Sequence, residues 1–185
     1  MAQRKVRAPS RLDAAGLWEL ALKSLTGRAY SNAELRQKLQ ARALNIADVD
    51  TALLRLKEYG YIDDKRFAER FAAFRLEDEG LGKRRVSNDL RRRRIAPALA
   101  ASAVEKIYKE VDETNLIEEY IRRKYRRAPR QGLFHTQKEL ASAYRRLVGA
   151  GFASGGILKV LKRFAANPDL LDDFDPPVEL SGDTE

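Results

Sequence analysis

Cysteine is absent from this chain of 185 residues, and histidine occurs once, as His135. Without thiols there can be no disulfide framework, no thiolate nucleophile and no thiolate metal site. No apolar run approaches the roughly 18 residues that span a membrane, and the basic N-terminus lacks the apolar core of a secretory signal. We therefore expect a soluble, cytoplasmic protein with no membrane segment, no metal ion and no other cofactor.

Recognisable catalytic motifs are missing as well. The segment GAGFASGG, residues 149–156, is rich in glycine but lacks the lysine and the preceding strand of a phosphate-binding loop. No histidine network is available to activate a serine or threonine. His135 stands directly before a predicted helix cap at Thr136, which favours a packing or surface role. We predict that the protein has no catalytic residues and is not an enzyme.

The composition favours helices and a charged surface. Strand-forming residues are sparse, whereas Ala, Leu, Arg, Lys and Glu dominate. Hydrophobic residues make up 44% of the chain, which is enough for a core. Charged residues make up 34%, above the roughly 25% that is typical of soluble domains.

The net charge of +9 is distributed unevenly. No Lys or Arg follows Arg163, and the last 22 residues carry seven carboxylates, so residues 1–163 alone carry +16. A body this basic favours a polyanionic partner such as nucleic acid or a nucleoprotein; a basic surface that only aids solubility is the alternative. The acidic end is either a solubilising tail or a segment that folds back on the basic side chains.

Caps and apolar spacings predict three helices in the first third of the chain. Asp13 is a candidate N-cap, and Ser31 with Glu34 fits a capping box, accompanied by a hydrophobic staple of Tyr30 and Leu35. Gly60 follows the third helix. The predicted apolar stripes are Trp18, Ala21, Leu22 and Leu25 in the first helix, Leu35 and Leu39 in the second, and Val49, Leu53 and Leu56 in the third.

The segment YGYIDDKRFAERFAAFR, residues 59–75, is predicted to be the corner between two helices. Asp63 has the position of an N-cap, with Ile62 and Phe67 placed to staple around it. Asp64 in the first turn suits the helix dipole. The two aspartates are therefore interpreted as caps and not as a catalytic pair. Phe67, Phe71 and Phe74 share one face, which we expect to be core.

The same helical pattern recurs twice. Leu35, Leu39 and Leu44 match Val86, Leu90 and Ile95 at a shift of 51, and Ala143, Leu147 and Phe152 at a shift of 108. Thr136 and Glu139 rebuild the capping box. The prediction is an all-α, elongated and curved array of three tandem three-helix repeats. Its parts are a basic disordered arm at 1–12, repeats at 13–62, 63–111 and 112–166, and an acidic disordered tail at 167–185.

Arginine clusters are the features most suggestive of binding. The segment GKRRVSNDLRRRR, residues 82–94, places two basic ridges on one helix while Val86 and Leu90 face inward. Arginines without a defined reading helix suit phosphate or acidic-protein contact, not base readout. The candidate binding residues are Arg84, Arg85, Arg91 and Arg92 first, then Arg122, Arg126, Arg145 and Arg146, with Arg66 and Arg70 as weaker choices.

Three segments resemble the RecX family, the regulators of the RecA recombinase. They are ALKSLTGRAYSNAELRQKL (21–39), LLRLKEYGYIDDKRFAERF (53–71) and RRLVGAGFASGGILKVL (145–161). The resemblance covers about residues 13–166, and GYIDDKRFA is its most specific piece. Ala43 stands where many relatives have glycine. The residues that match the family motif in a structural role are Tyr30, Ser31, Leu35, Gly60, Tyr61, Ile62, Asp63, Asp64, Arg66 and Phe67.

The resemblance implies a non-enzymatic regulator with a fold of three tandem three-helix repeats. Such a protein would bind RecA and the RecA filament on single-stranded DNA and inhibit ATP hydrolysis, strand exchange and co-protease activity, and so modulate recombination and the SOS response. We expect a monomer with at most weak direct DNA binding. The alternative is a sequence-non-specific nucleic-acid-binding helical protein that acts without RecA.

Overall fold

A computed structural model describes residues 10–125, 132–171 and 174. The described residues form nine α-helices and a short 3-10 turn, with two isolated β-bridges and no β-strand, which confirms the predicted all-α class. The helices are α1 Ala14–Gly27, α2 Asn32–Gln40, α3 Ile46–Glu58, α4 Asp64–Glu77, α5 Lys83–Arg92, α6 Pro97–Ile107, α7 Glu113–Lys124, α8 Gln137–Gly149 and α9 Ser154–Phe164; the turn spans Pro168–Leu171.

Three helices fall within each of the predicted repeat intervals, which gives three tandem three-helix repeats. The chain also divides into two compact units, Met1–Phe71 with Leu90–Ala103, and Ala72–Asp89 with Val104–Glu185. The division falls inside α4, α5 and α6, so the middle repeat contributes to both units. The residue boundaries of the repeats remain a prediction. Most of the predicted basic arm and acidic tail lies outside the described residues.

The predicted caps are present. The Asp13 side chain accepts a hydrogen bond from the Gly16 N–H at 2.9 Å. The reciprocal bonds of a capping box join Ser31 to Glu34 and Thr136 to Glu139. The N–H groups of His135 and Thr136 also hold the pKa of the Glu139 carboxyl below its usual value. Each cap satisfies N–H groups that the first helical turn leaves without partners.

The core of the first repeat differs from its predicted stripes at two places. In α1, Leu17 and Ala21 are fully buried, whereas Trp18 is only partly covered. After α2, Ala43 is buried and Leu44 is 63% exposed, so the prediction that Leu44 is equivalent to the buried Ile95 and Phe152 was wrong. The cause is local. Hydrogen bonds from Leu12 to Arg42 and from Leu44 to Leu12 form a parallel bridge that turns Ala43 inward.

The phenylalanine face of α4 also needs correction. Phe67 is buried and Phe71 half-buried, but Phe74 is 53% exposed. The buried side of α4 includes Ala68 and Ala72, neither of which has any exposed surface. At the 100° per residue of a helix, Ala68 and Ala72 lie about 100° and 140° from Phe67 on one side, whereas Phe74 lies about 20° on the other side. Phe74 is therefore at the edge of the buried face.

Helices α5 and α8 each end in a turn of the same type. Arg94 and Gly151 both have positive φ, 59° and 91°. Ile95 and Phe152, which follow them, are buried and donate their N–H groups back to Leu90 and Leu147 at 3.1 and 3.3 Å. This left-handed ending is a common helix stop that usually uses glycine. The third repeat has the glycine, and the second repeat has an arginine in its place.

Candidate functional site

The first junction, made of Ser31, Glu34, Asp64 and Arg93, joins the start of α2 to the end of α5 within one compact unit. The Ser31 hydroxyl donates to the Arg93 carbonyl oxygen at 2.6 Å. The Arg93 guanidinium donates to the Glu34 carboxylate at 2.7 Å and lies over the rings of Phe67 and Phe71. Arg93 is therefore a structural arginine, although the sequence placed it in the same basic run as the candidate binding residues.

The second junction, made of Gly82, Arg84, Ala150 and Gly151, joins the start of α5 to the end of α8 within the other unit. The Gly82 N–H donates to the Ala150 carbonyl at 2.8 Å, and the Arg84 N–H donates to the Gly151 carbonyl at 3.2 Å. A Cβ on Gly82 would lie 2.3 Å from the Gly151 oxygen. The carbonyl end of one helix thus meets the N–H end of another, which also aligns their dipoles favourably.

Arg85 is held by its own protein. Its Nε donates to the buried Asp89 at 3.1 Å, and its Nη1 donates to the Gly149 carbonyl at 3.1 Å. Asp89 also lies 3.5 Å from the Arg75 guanidinium. The Arg85 guanidinium therefore contacts the last turn of α8, the helix that carries Arg145 and Arg146. The Arg85 side chain is 44% exposed, so it adds positive charge to that surface while fixing α5 against α8.

The remaining candidate arginines have varied surroundings. Arg84, Arg91, Arg92 and Arg145 are exposed. Arg122 pairs with Glu118 at 2.8 Å, and Arg146 lies over the Tyr125 ring at 5.7 Å. Arg126 lies outside the described residues. Of the two weaker choices, Arg70 is exposed, and Arg66 donates to the Gly60 carbonyl at 2.6 Å.

The two aspartates of the corner cap different helices. Asp63 accepts the Arg66 N–H at 3.0 Å and so caps α4, as the sequence predicted. Asp64 accepts the Asn32 N–H at 2.8 Å and so caps α2 of the first repeat. Gly60 has φ 70° at the end of α3, and Ile62 is buried. Tyr61 was assigned a structural role, yet its side chain is 56% exposed.

The other family-motif residues lie beside the first junction. Leu35 is fully buried in the core of the first repeat. Two cations lie near the Tyr30 ring, Arg28 at 3.8 Å and Lys38 at 5.0 Å from its centroid. The Lys38 ammonium donates to the Tyr30 hydroxyl at 3.0 Å, and this contact lowers the pKa of Tyr30.

One cavity of about 300 Å³ lies beside the second junction, lined by Lys83, Arg84, Tyr108 and Glu113 among others. Three of its polar side chains have partners within the protein: Lys83 pairs with Glu105, Glu113 accepts the Ala153 N–H, and the Tyr108 hydroxyl donates to the Leu81 carbonyl. Burial raises the pKa of Tyr108.

Across the ranges 10–125, 132–171 and 174, no group of three His, Asp or Glu side chains could hold a metal ion, and no helix is long and apolar enough to cross a membrane.

The fold and surface together define a class: a helical-repeat protein with arginine-rich helices and no metal cluster in its described part. Comparison with known proteins gives the family. Residues 63–104 match the family described as RecX, second three-helix domain. The chain is 31% identical over 145 residues to the regulatory protein RecX of Legionella pneumophila (strain Corby), covering 78% of this chain and 92% of that protein. It is 30% identical over 108 residues to the regulatory protein RecX of Syntrophotalea carbinolica, covering 58% of this chain and 71% of that protein. The chain belongs to the RecX family.

A crystal structure of RecX from Lactobacillus salivarius has the same fold. It superposes with a TM-score of 0.60 at 17% identity and covers 82% of this chain and 96% of that one. A second crystal structure, of regulatory protein RecX, superposes with a TM-score of 0.64 at 18% identity, over 80% of this chain and 73% of that one.

Proposed function

We propose that this chain regulates the RecA recombinase: it binds RecA and the RecA filament on single-stranded DNA and inhibits ATP hydrolysis, strand exchange and co-protease activity. Membership of the RecX family is the observation that carries the proposal. Through these activities the protein would modulate recombination and the SOS response. We propose that it acts in the cytoplasm, as a monomer, without catalysing a reaction.

The charge of the chain supports a filament as the target. A filament of protein on DNA presents a long polyanion, and residues 1–163 carry +16. Exposed arginines occur in the second repeat at Arg84, Arg91 and Arg92 and in the third at Arg145. Modest contacts spread over tandem repeats reinforce one another, because each bound repeat raises the effective concentration of the next.

All seven described candidate arginines of the basic clusters are exposed. We propose Arg84, Arg91, Arg92 and Arg145 as the primary contacts. Arg85, Arg122 and Arg146 lie against Asp89, Glu118 and the Tyr125 ring, and they would contribute mainly to the local positive potential. Arg126 is retained as a candidate from the sequence alone.

The proposal is tested by ATP hydrolysis of RecA on single-stranded DNA, titrated with this protein from far below the RecA concentration. Inhibition at low ratio is the expected result. The Arg91→Glu, Arg92→Glu variant should weaken it and reduce the salt dependence of binding, by about one unit of log–log slope per lost phosphate contact. Lys109→Glu, Lys159→Glu is the matched control, since it changes net charge equally at exposed sites outside α5.

Direct binding of nucleic acid without RecA is the second candidate, and the exposed arginines favour it. A protein of that kind would bind single-stranded DNA equally well with or without RecA and would inhibit only once the DNA is coated. Inhibition that appears only at saturation of the DNA would therefore overturn the first proposal in favour of the second.

A further inference from the structure

Exposed apolar side chains are frequent in α3 of the first repeat and in the residues that flank it. Among the described residues, six large apolar side chains are strongly exposed, and five of them lie between positions 44 and 61. They are Leu44, Ile46, Leu54, Tyr59 and Tyr61; the sixth is Phe74. Single exposed apolar residues are ordinary, but a group of them indicates a surface that another molecule covers.

Two members of this group, Tyr59 and Tyr61, form an ordered cluster with Trp18 and Arg55, which we call the aromatic patch. The Tyr59 ring meets Trp18 edge to face at 6.0 Å and meets Tyr61 in the same way at 6.2 Å. The Arg55 guanidinium lies 4.5 Å above the Trp18 ring. Tyr59 and Tyr61 are 61% and 56% exposed. The cluster is thus arranged before any partner arrives, which reduces the entropy lost on binding.

The tyrosine hydroxyls and the Arg55 guanidinium of the aromatic patch are available to bind a partner. Among the described residues, neither tyrosine hydroxyl and no N–H of the Arg55 guanidinium has a hydrogen-bond or ion-pair partner within the chain. A guanidinium that is fixed on an aromatic face can still donate hydrogen bonds from its N–H edge to a carboxylate. Trp, Tyr and Arg are also the residue types that dominate the energetics of protein–protein interfaces.

We propose that the aromatic patch is a docking site for a protein partner, the RecA subunit of the proposed function, through an apolar depression of that subunit flanked by a carboxylate that pairs with Arg55. This inference rests on the proposed function and deepens it: the first repeat contacts protein, while the arginines of the second and third repeats contact phosphate.

Two observations favour protein over nucleic acid at the patch. The charge is low: residues 54–61 contain two basic and one acidic side chain, whereas residues 83–94 contain seven basic and one acidic. The rings are also badly placed for bases. Successive bases stack on free, open ring faces, but Arg55 covers a face of Trp18, and the rings of Tyr59 and Tyr61 are inclined by 69°. Tightly fitting side chains of a protein suit such an arrangement better.

The test compares three binding measurements: to preassembled RecA filaments on single-stranded DNA, to RecA without DNA, and to the DNA alone. The variants are Tyr59→Ala with Tyr61→Ala, Tyr61→Ala alone, and Arg55→Glu. Phe74→Ala is the matched control, because it removes an equally exposed aromatic ring outside the patch. Circular dichroism and thermal unfolding establish that each variant is folded, and Tyr61→Ala keeps the Trp18–Tyr59 contact if the double variant is unstable.

The proposal expects the patch variants to bind RecA and its filament roughly tenfold or more weakly while binding of DNA alone and the Phe74→Ala control stay within about twofold of wild type. Three results overturn it: unchanged filament binding, an equal loss of binding to DNA alone, or a wild-type dimer that Tyr61→Ala dissociates. Failure of the wild-type protein to bind RecA in any form would overturn the proposed function first, and the inference with it, so the two failures are distinguishable.

Discussion

The two junctions connect equivalent elements but close the space between them in different ways. In the first, the Ser31 hydroxyl reaches the Arg93 carbonyl at 2.6 Å. In the second, the Gly82 backbone N–H reaches the equivalent Ala150 carbonyl at 2.8 Å. The next residue along is Arg94 in the first junction and Gly151 in the second, both with positive φ.

Two glycines therefore allow direct backbone contact at the second junction, whereas a serine side chain spans the distance at the first. A hydroxyl contact can be lost without steric conflict, so its removal should cost only the hydrogen bonds concerned. Direct backbone contact leaves no room for any side chain, so substitution there should cost much more. The two junctions thus share their geometry and differ in their tolerance of mutation.

The largest effect is expected for Gly82→Ala. Its Cβ would lie 2.3 Å from the Gly151 oxygen and 2.4 Å from the Gly151 carbonyl carbon, both backbone atoms that cannot turn aside. We expect a loss of about 3 kcal/mol in the free energy of unfolding, or roughly 6–12 °C in Tm, measured by thermal and denaturant unfolding. Gly155→Ala is the control: nothing lies within 4 Å of its added Cβ in α9, so stability should stay the same or rise. Equal stability of both variants would show that the second junction is not tightly closed.

Ser31→Ala should have an intermediate effect. It removes the cap on the Glu34 N–H and leaves the Arg93 carbonyl without its hydroxyl donor. The expected loss is about 2 kcal/mol in the free energy of unfolding. Thr136→Ala is the matched variant, because Thr136 forms the same capping box at an exposed site and, among the described residues, makes no bond to another repeat; it should lose about 1 kcal/mol. If the two variants lose equal stability, the first junction contributes nothing beyond its cap.

The smallest effect, with the opposite sign, is expected for Arg94→Gly. Arg94 holds φ 59°, a left-handed conformation that is unfavourable for residues with a Cβ and comfortable for glycine. The substitution should raise the free energy of unfolding by about 0.5–1 kcal/mol. Arg91→Gly, within α5, should lower it by about as much. A destabilised Arg94→Gly variant would mean that the arginine side chain stabilises the first junction by more than its backbone strain costs.

Local features of this fold could be predicted from the sequence. The caps at Asp13, Ser31, Asp63 and Thr136 depend on residues within one helical turn, and all four are present. The buried stripe of α3 was also predicted correctly, because Val49, Leu53 and Leu56 follow helical spacing. The prediction for Leu44 was wrong because the environment of this residue is set by the bridge between Leu12 and Ala43, which are 31 positions apart.

At the candidate site, too, the sequence could not predict contacts between residues that are far apart in the chain. Helical spacing placed arginines on α5 but could not distinguish the exposed Arg91 from Arg93, which is held by Glu34 and two aromatic rings. The link from Asp64 to Asn32 and the contact of Gly82 with Gly151 likewise join residues far apart in the chain. The one local signal that was available is that a glycine stands at position 82, where the first repeat has its serine cap.

The spacing of the first junction also sets an order of events during synthesis. Asn32 meets Asp64, which lies 32 residues later, and Ser31 meets Arg93, which lies 62 residues later. At the roughly 5–20 residues per second of translation, the Arg93 carbonyl leaves the ribosome about 3–12 s after Ser31. The nascent first repeat can therefore cap α2 with Glu34 at once and with Asp64 next, and only then complete its contact with the second repeat.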